Sequence, residues 1–155
     1  MFETIVWATD GSDLADRALP LVTELARTFG SKVVAIHANA VLPARFGGAP
    51  MLADEEDVVA KVGRQVSELR DAGLNADLKV ETGIRPGVAG LIVAAANDAG
   101  AGLIVVGTHG RNVAAAALLG SVARDLLHRA SCPVLVVTPE SEPAATAASE
   151  TQVAV

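Results

Sequence analysis

The stretch Leu103-Ile104-Val105-Val106-Gly107-Thr108-His109-Gly110 decides the fold. An unbroken aliphatic run of this length reads as a strand covered on both faces, which is the habit of parallel sheets. It passes directly into a glycine-bounded loop. Upstream, Val88, Leu91, Ile92 and Ala95 recur at helical spacing, with Pro86 expected in the first turn and the stop near Asn97-Asp98-Ala99-Gly100. Downstream, Val122, Leu126 and Leu127 mark a short helix ending near Ala130, and Val134 to Val137 form a last strand.

The N-terminal half repeats the alternation. Residues 4–9 are β-rich and stop at the turn cluster Asp10-Gly11-Ser12. Leu14, Ala18, Leu21, Val22 and Leu25 predict one helix, bent at Pro20 and ended by Phe29-Gly30. Residues 33–38 form a second strand, and 39–53 read as irregular, punctuated by Pro43, Gly47-Gly48 and Pro50. A helix is expected from the acidic run Asp54 to Asp57, where the macrodipole favours negative charge. Its apolar stripe is Val58, Val59, Val62, Val66 and Leu69. Residues 76–81 alternate like an edge strand, and 82–85 read as a loop. Five strands alternating with four helices imply right-handed βαβ units, hence one doubly wound parallel sheet with helices on both faces. Ligands of such sheets sit beyond the C-terminal strand ends, where strand order reverses.

Composition fits this architecture. The 155 residues suit one domain, and with hydrophobic residues at 51% but aromatics at 3% the core must be aliphatic. The net charge of −6 argues against a nucleic-acid partner, which needs a basic surface. Half of that charge lies in the tail, as Glu140, Glu142 and Glu150 with no neighbouring base. Residues 139–155 are rich in Pro, Ala, Ser, Thr and Glu and are expected to be disordered, leaving 1–138 as the folded domain. The single Cys132 makes no intrachain disulfide and is read as a packing residue. No leader-like segment opens the chain, and no apolar run approaches the ~18 residues of a membrane span. The expected location is the cytoplasm, with no membrane partner.

Two turns carry the chemistry, each at a strand's C-terminal end. One is Thr9-Asp10-Gly11-Ser12. The other is Gly107-Thr108-His109-Gly110-Arg111, which runs through alanines to Gly120-Ser121-Val122. Gly107 and Gly110 are expected to adopt positive φ and to let backbone approach a ligand. Gly120-Ser121 opens a helix, so free N–H groups there make an anion site to which the Ser121 hydroxyl can add. The loop is not a Walker A sequence, since no Gly-Lys-Ser/Thr follows at the required spacing, nor a G-x-G-x-x-G fingerprint after the first strand.

The pattern Gly107-x-x-Gly110, nine residues, then Gly120-Ser121 resembles the signature of the ATP-binding branch of the universal stress protein family. The resemblance spans residues 2–138 and includes the opening Ile5-Val6-Trp7-Ala8-Thr9-Asp10-Gly11-Ser12 and the closing Ser131-Cys132-Pro133-Val134-Leu135-Val136-Val137. It implies a five-stranded parallel sheet of order 3-2-1-4-5, which brings both turns to one crevice. It also implies ATP, accompanied by Mg²⁺, as the ligand. Asp10 resembles the acid on the base or ribose side, with Ala8 and Thr9 on the same wall and Ala38 facing the adenine. Val106 resembles the residue under the ribose. Gly107, Gly110, Gly120, Ser121 and Val122 resemble the ribose-phosphate cradle. His109 lies in the same loop, and Arg111 is the one charge between Gly110 and Gly120. A homodimer through the last strand, Val134 to Val137, is a further implication, in keeping with an apolar sheet edge. The function implied is stress signalling by ATP occupancy and dimerisation.

Simpler readings stand beside these. Asp10 can organise its turn or cap a helix, and Ser121 can be an N-cap. His37 reads as a satisfied core histidine and Asp54 to Asp57 as a solvated helix start. No catalytic pair is legible, so any hydrolysis is expected to be slow, and an enzyme would have to draw on His109, Arg111 and Asp10. A cyclic nucleotide and a nucleotide-free interaction module are the alternatives to ATP.

Overall fold

A strand buried on both faces must be flanked by other strands and sandwiched by helices, and the central strands here meet that requirement. The computed structural model of the chain describes residues 2–40, 52–83, 86–108 and 119–138. In chain order these form β1 (Thr4–Ala8), α1 (Asp13–Asp16), α2 (Leu19–Phe29), β2 (Lys32–Ala40) and α3 (Leu52–Asp71). There follow β3 (Ala76–Gly83), α4 (Val88–Asp98), β4 (Leu103–Gly107), α5 (Ser121–Arg129) and β5 (Val134–Val137). The strands make one parallel sheet of order β3-β2-β1-β4-β5. This is the α/β architecture and strand order expected from the sequence. β1 is flanked by β2 and β4, with Ala8 opposite both Ile36 and Val106.

Side chains alternate across each strand, so the sheet builds two cores. Ile5, Trp7, Val33, Ala35, Leu103 and Val105 face α1, α2 and α3. Val6, Ala8, Val34, Ile36, Ile104 and Val106 face α4 and α5. Cys132 packs against this second core, and burial pushes its thiol above the usual cysteine value, in keeping with a packing role. The edge strands β3 and β5 are only partly covered, and Leu135 of β5 is 36% exposed. Among the described residues no helix is long and apolar enough to cross a membrane.

Several element boundaries differ from the sequence reading. The expected single helix bent at Pro20 is two helices. The Ser12 hydroxyl accepts from Ala15 N–H at 3.2 Å and starts α1, which ends at Arg17. Pro20 then lies in the first turn of α2, where its missing N–H costs nothing. Leu21 falls off the core stripe and is exposed. Pro86 sits outside α4, ahead of an N-cap at Gly87 whose φ of 85° is not helical. Its ring packs over Gly90, leaving no room there for a Cβ. The segments read as irregular are partly regular. Asn39 and Ala40 continue β2 in register with Thr82 and Gly83, which extend β3, and α3 begins at Leu52 rather than Asp54. Residues 41–51, 84–85, 109–118 and 139–155 lie outside the described residues, and with them the expected disordered tail.

Candidate functional site

β1 and β4 are neighbours whose following helices pack on opposite faces, so their C-terminal ends part and leave a crevice of about 330 Å³. Ala8, Thr9 and Asp10 line it from β1 and its turn, and Ala38 from the end of β2. Val106 and Gly107 contribute from β4, and Gly120, Ser121 and Val122 from the start of α5. The fold therefore brings nine of the twelve sequence-nominated residues to one place. His109, Gly110 and Arg111 lie outside the described residues.

The acidic wall is a built turn. Asp10 Oδ1 accepts from Ser12 N–H at 3.0 Å and from the Ser12 hydroxyl at 2.6 Å, while Thr9 Oγ1 accepts from Gly11 N–H at 3.1 Å. Asp10 thus organises its turn and lines the crevice at once; a carboxylate has acceptor sites enough for both. Gly11 takes φ 74°, and a Cβ there would lie 2.7 Å from Val58 Cγ1 of α3. Lys61 of α3 donates to the Gly11 carbonyl at 2.7 Å and to Asp16 at 2.6 Å. Its hydrogen bond to Asp16 holds the ammonium above the usual lysine value, against the opposing effect of burial. α3 therefore clamps the turn from outside. Gly11→Ala meets both a strained φ and a contact, and is expected to cost about 2 kcal/mol in urea unfolding. Adding Val58→Ala should recover the contact share only.

Among the described residues, the positive character of the opposite wall comes from the backbone. Gly120 is the N-cap of α5 with φ −67° and ψ 158°, and among the described residues no side chain caps the helix. Its own N–H donates to Thr108 O at 2.7 Å, which ties the helix start to the end of β4. The first-turn N–H groups after it have no intrahelical acceptor and carry the positive end of the helix dipole. Ser121 is the first helical residue, not the cap, and is exposed. Gly107 does not take the positive φ expected of it. It ends β4 in extended conformation, paired with Val137, because the sheet continues through it.

The lining also includes residues that the sequence does not nominate for the site, among them His37, Asn39 and Glu55. His37 is 2% exposed and fully partnered, as a core histidine should be. Its Nδ1 lies 3.0 Å from Thr9 O, and its Nε2 is hydrogen-bonded to Glu55 Oε1. The acidic run predicts a solvated helix start, but Glu55 turns inward to the imidazole, while Glu56 and Asp57 are exposed. Strand and helix periodicities each orient one of these residues, but neither says that the two meet.

These observations define a class: a doubly wound parallel α/β domain with an acidic turn and a helix N-terminus facing each other at its switch point. The model of the universal stress protein family matches residues 1–138, and the chain belongs to that family. It is 34% identical over 142 residues to a universal stress protein of Methanocaldococcus jannaschii, covering 88% of this chain and 82% of that one. Two solved structures are similar in fold and sequence. One is a universal stress protein in complex with cAMP, with TM-score 0.67 and 26% identity over 88% of this chain and 97% of that one. The other is the universal stress protein of Archaeoglobus fulgidus in complex with dAMP, with TM-score 0.64 and 28% identity over the same shares.

Proposed function

We propose that the crevice binds an adenine nucleotide, ATP with Mg²⁺ foremost, and that the protein is a cytoplasmic stress-response protein signalling through nucleotide occupancy and dimerisation. The observation that carries this reading is the N-terminus of α5, which opens on the same crevice as the Asp10 turn. Bare N–H groups at a helix start favour an oxyanion. The small apolar side chains of Ala8, Ala38 and Val106 suit a flat base and ribose, and the volume lies within the range of small-molecule sites. The cAMP and dAMP of the two neighbours are both adenine nucleotides. Mg²⁺ would take most of its ligands from phosphate oxygens and water, so the proposal asks no metal cage of the protein. In this reading Asp10 receives donors from the base or ribose side. Gly107, Gly120, Ser121 and Val122 hold the phosphates, joined by His109, Gly110 and Arg111 of the intervening loop. Dimerisation would use β5, the edge strand on which Leu135 is exposed.

A monophosphate or cyclic nucleotide is the second reading, because a single phosphate already fills one helix N-terminus and the two neighbour complexes carry one phosphate each. Calorimetric titration with ATP and Mg²⁺, AMP and cAMP separates the two. The proposal expects ATP to bind with the highest affinity. Stronger binding of cAMP would replace ATP by the second reading, and absence of heat with all three would leave a nucleotide-free interaction module.

A further inference from the structure

We propose that the Asn39 side chain reads the base of the bound nucleotide at its N6/N7 edge and so selects adenine over the 6-oxopurines. The inference rests on the nucleotide-binding reading and adds a specificity determinant to it.

The crevice has a direction. Its anion-binding end is the start of α5, which the Gly120 N–H ties to Thr108 O at the end of β4. From there it runs across β1 rather than toward β5. His37, Ala38 and Asn39 of β2 line it, and no described residue of β5 does. The end of β2 lies two strand spacings from β4, about 10 Å. A nucleotide whose phosphate sits at α5 therefore lays its base at the end of β2. β1 stops at Ala8, opposite Ile36, while β2 continues to Ala40. The residues of β2 from His37 onward thus stand past β1 as an end wall.

Most polar groups near this wall are already engaged. His37 uses both ring nitrogens, on Thr9 O and on Glu55. Ser12 engages the Asp10 carboxylate, and Gly11 N–H donates to the Thr9 hydroxyl. Asn39 differs. It is half-buried and lines the crevice, and its carboxamide makes no hydrogen bond to any described residue. Asparagine is depleted in strands and favoured in turns and caps. Here it stands within β2, in register with Thr82, where neither use applies.

The chemistry of the amide then decides the base. A carboxamide offers an acceptor and a donor side by side. Adenine presents the complement at its N6/N7 edge: an amino N–H for Oδ1 and a ring lone pair for the Nδ2 N–H. Hypoxanthine and guanine present two acceptors there, so Oδ1 would face a lone pair. At the N1 edge a flipped amide would satisfy either base, so discrimination by Asn39 requires the N7 edge. One such bidentate pair is expected to discriminate about tenfold or more.

The test pairs Asn39→Val with changes in single groups of the base. Valine suits a strand and keeps the backbone ladder to β3, so the variant should fold. Calorimetry gives affinities of both proteins for ATP, inosine triphosphate and 7-deaza-ATP with Mg²⁺, and for the matching monophosphates. Within each set the phosphates are common, so contacts at α5 cancel in the ratios. Wild type should prefer the adenine nucleotide about tenfold over the inosine and over the 7-deaza compound. In Asn39→Val both preferences should shrink to about threefold or less, mainly through weaker binding of the adenine nucleotide. A valine that merely loosens the crevice weakens all three alike and keeps the wild-type ratios, which would overturn the proposal. Wild type that binds ATP without discriminating refutes the proposal and spares the nucleotide reading. Wild type that binds none of these nucleotides refutes both.

Discussion

Gly120→Val is expected to weaken ATP binding about a hundredfold or more, equivalent to about 2.7 kcal/mol, while leaving the fold intact. The expectation follows from why glycine stands there. With φ −67° and ψ 158°, Gly120 sits in ordinary extended space that a β-branched residue accepts readily. The backbone does not require glycine, so what the residue supplies is the absence of a side chain beside the crevice. A valine places two methyl groups where an oxyanion must approach the N–H groups of α5. The helix start itself should survive, because the Gly120 N–H bond to Thr108 O is a backbone contact that valine retains. Far-UV circular dichroism and the urea midpoint should move little while calorimetric heat disappears. Normal ATP binding by this variant would mean that the phosphates lie elsewhere.

Trp7→Ala is the largest expected loss of stability, about 3–5 kcal/mol. Trp7 is fully buried in the central strand, facing the core under α1, α2 and α3. Its indole N–H donates to the Ala15 carbonyl at 3.4 Å, a long bond that contributes little beside the packing. Against the 5–15 kcal/mol typical of a whole domain, this one truncation makes the protein marginal. Trp7→Phe keeps most of the volume and should recover more than half of the loss. Since Trp7 is the chain's one tryptophan, unfolding must be followed by circular dichroism in both variants. A loss below about 1 kcal/mol for Trp7→Ala would contradict the packing described for β1.

What the sequence made legible follows the physics of periodicity. Strands 103–106 and 4–9 announce themselves because a doubly covered strand must be aliphatic throughout, and the order 3-2-1-4-5 followed from family resemblance. The partly covered edges were harder. Thr82 and Gly83 read as loop, yet pairing with Asn39 and Ala40 draws them into β3, a tertiary effect that local composition does not carry. The apolar pattern runs across Pro20 and predicts one bent helix; the Ser12 cap and the short α1 show that two helices share one stripe. A glycine at the end of β4 suggests a conformational role for Gly107, whereas Gly11 bears the positive φ and Gly107 stays in the sheet.

The site divides in the same way. Asp10 and Gly120-Ser121 lie at strand-to-helix turns, where spacing alone marks them as candidates. The His37–Glu55 contact joins residues eighteen apart on different elements, across a segment whose course no periodicity fixes. Its one sequence trace is a histidine in an otherwise apolar strand, which demands a partner without naming it.

The central claim is that an adenine nucleotide occupies the crevice between the Asp10 turn and the start of α5. Backbone amide chemical-shift mapping of the full chain on addition of ATP and Mg²⁺ tests occupancy and location together. Saturable shifts are expected at Thr9, Asp10, Ala38, Gly107, Gly120 and Ser121, with the edge strand β3 little affected. Absence of shifts at millimolar nucleotide, or shifts confined to surfaces away from these residues, would contradict the claim.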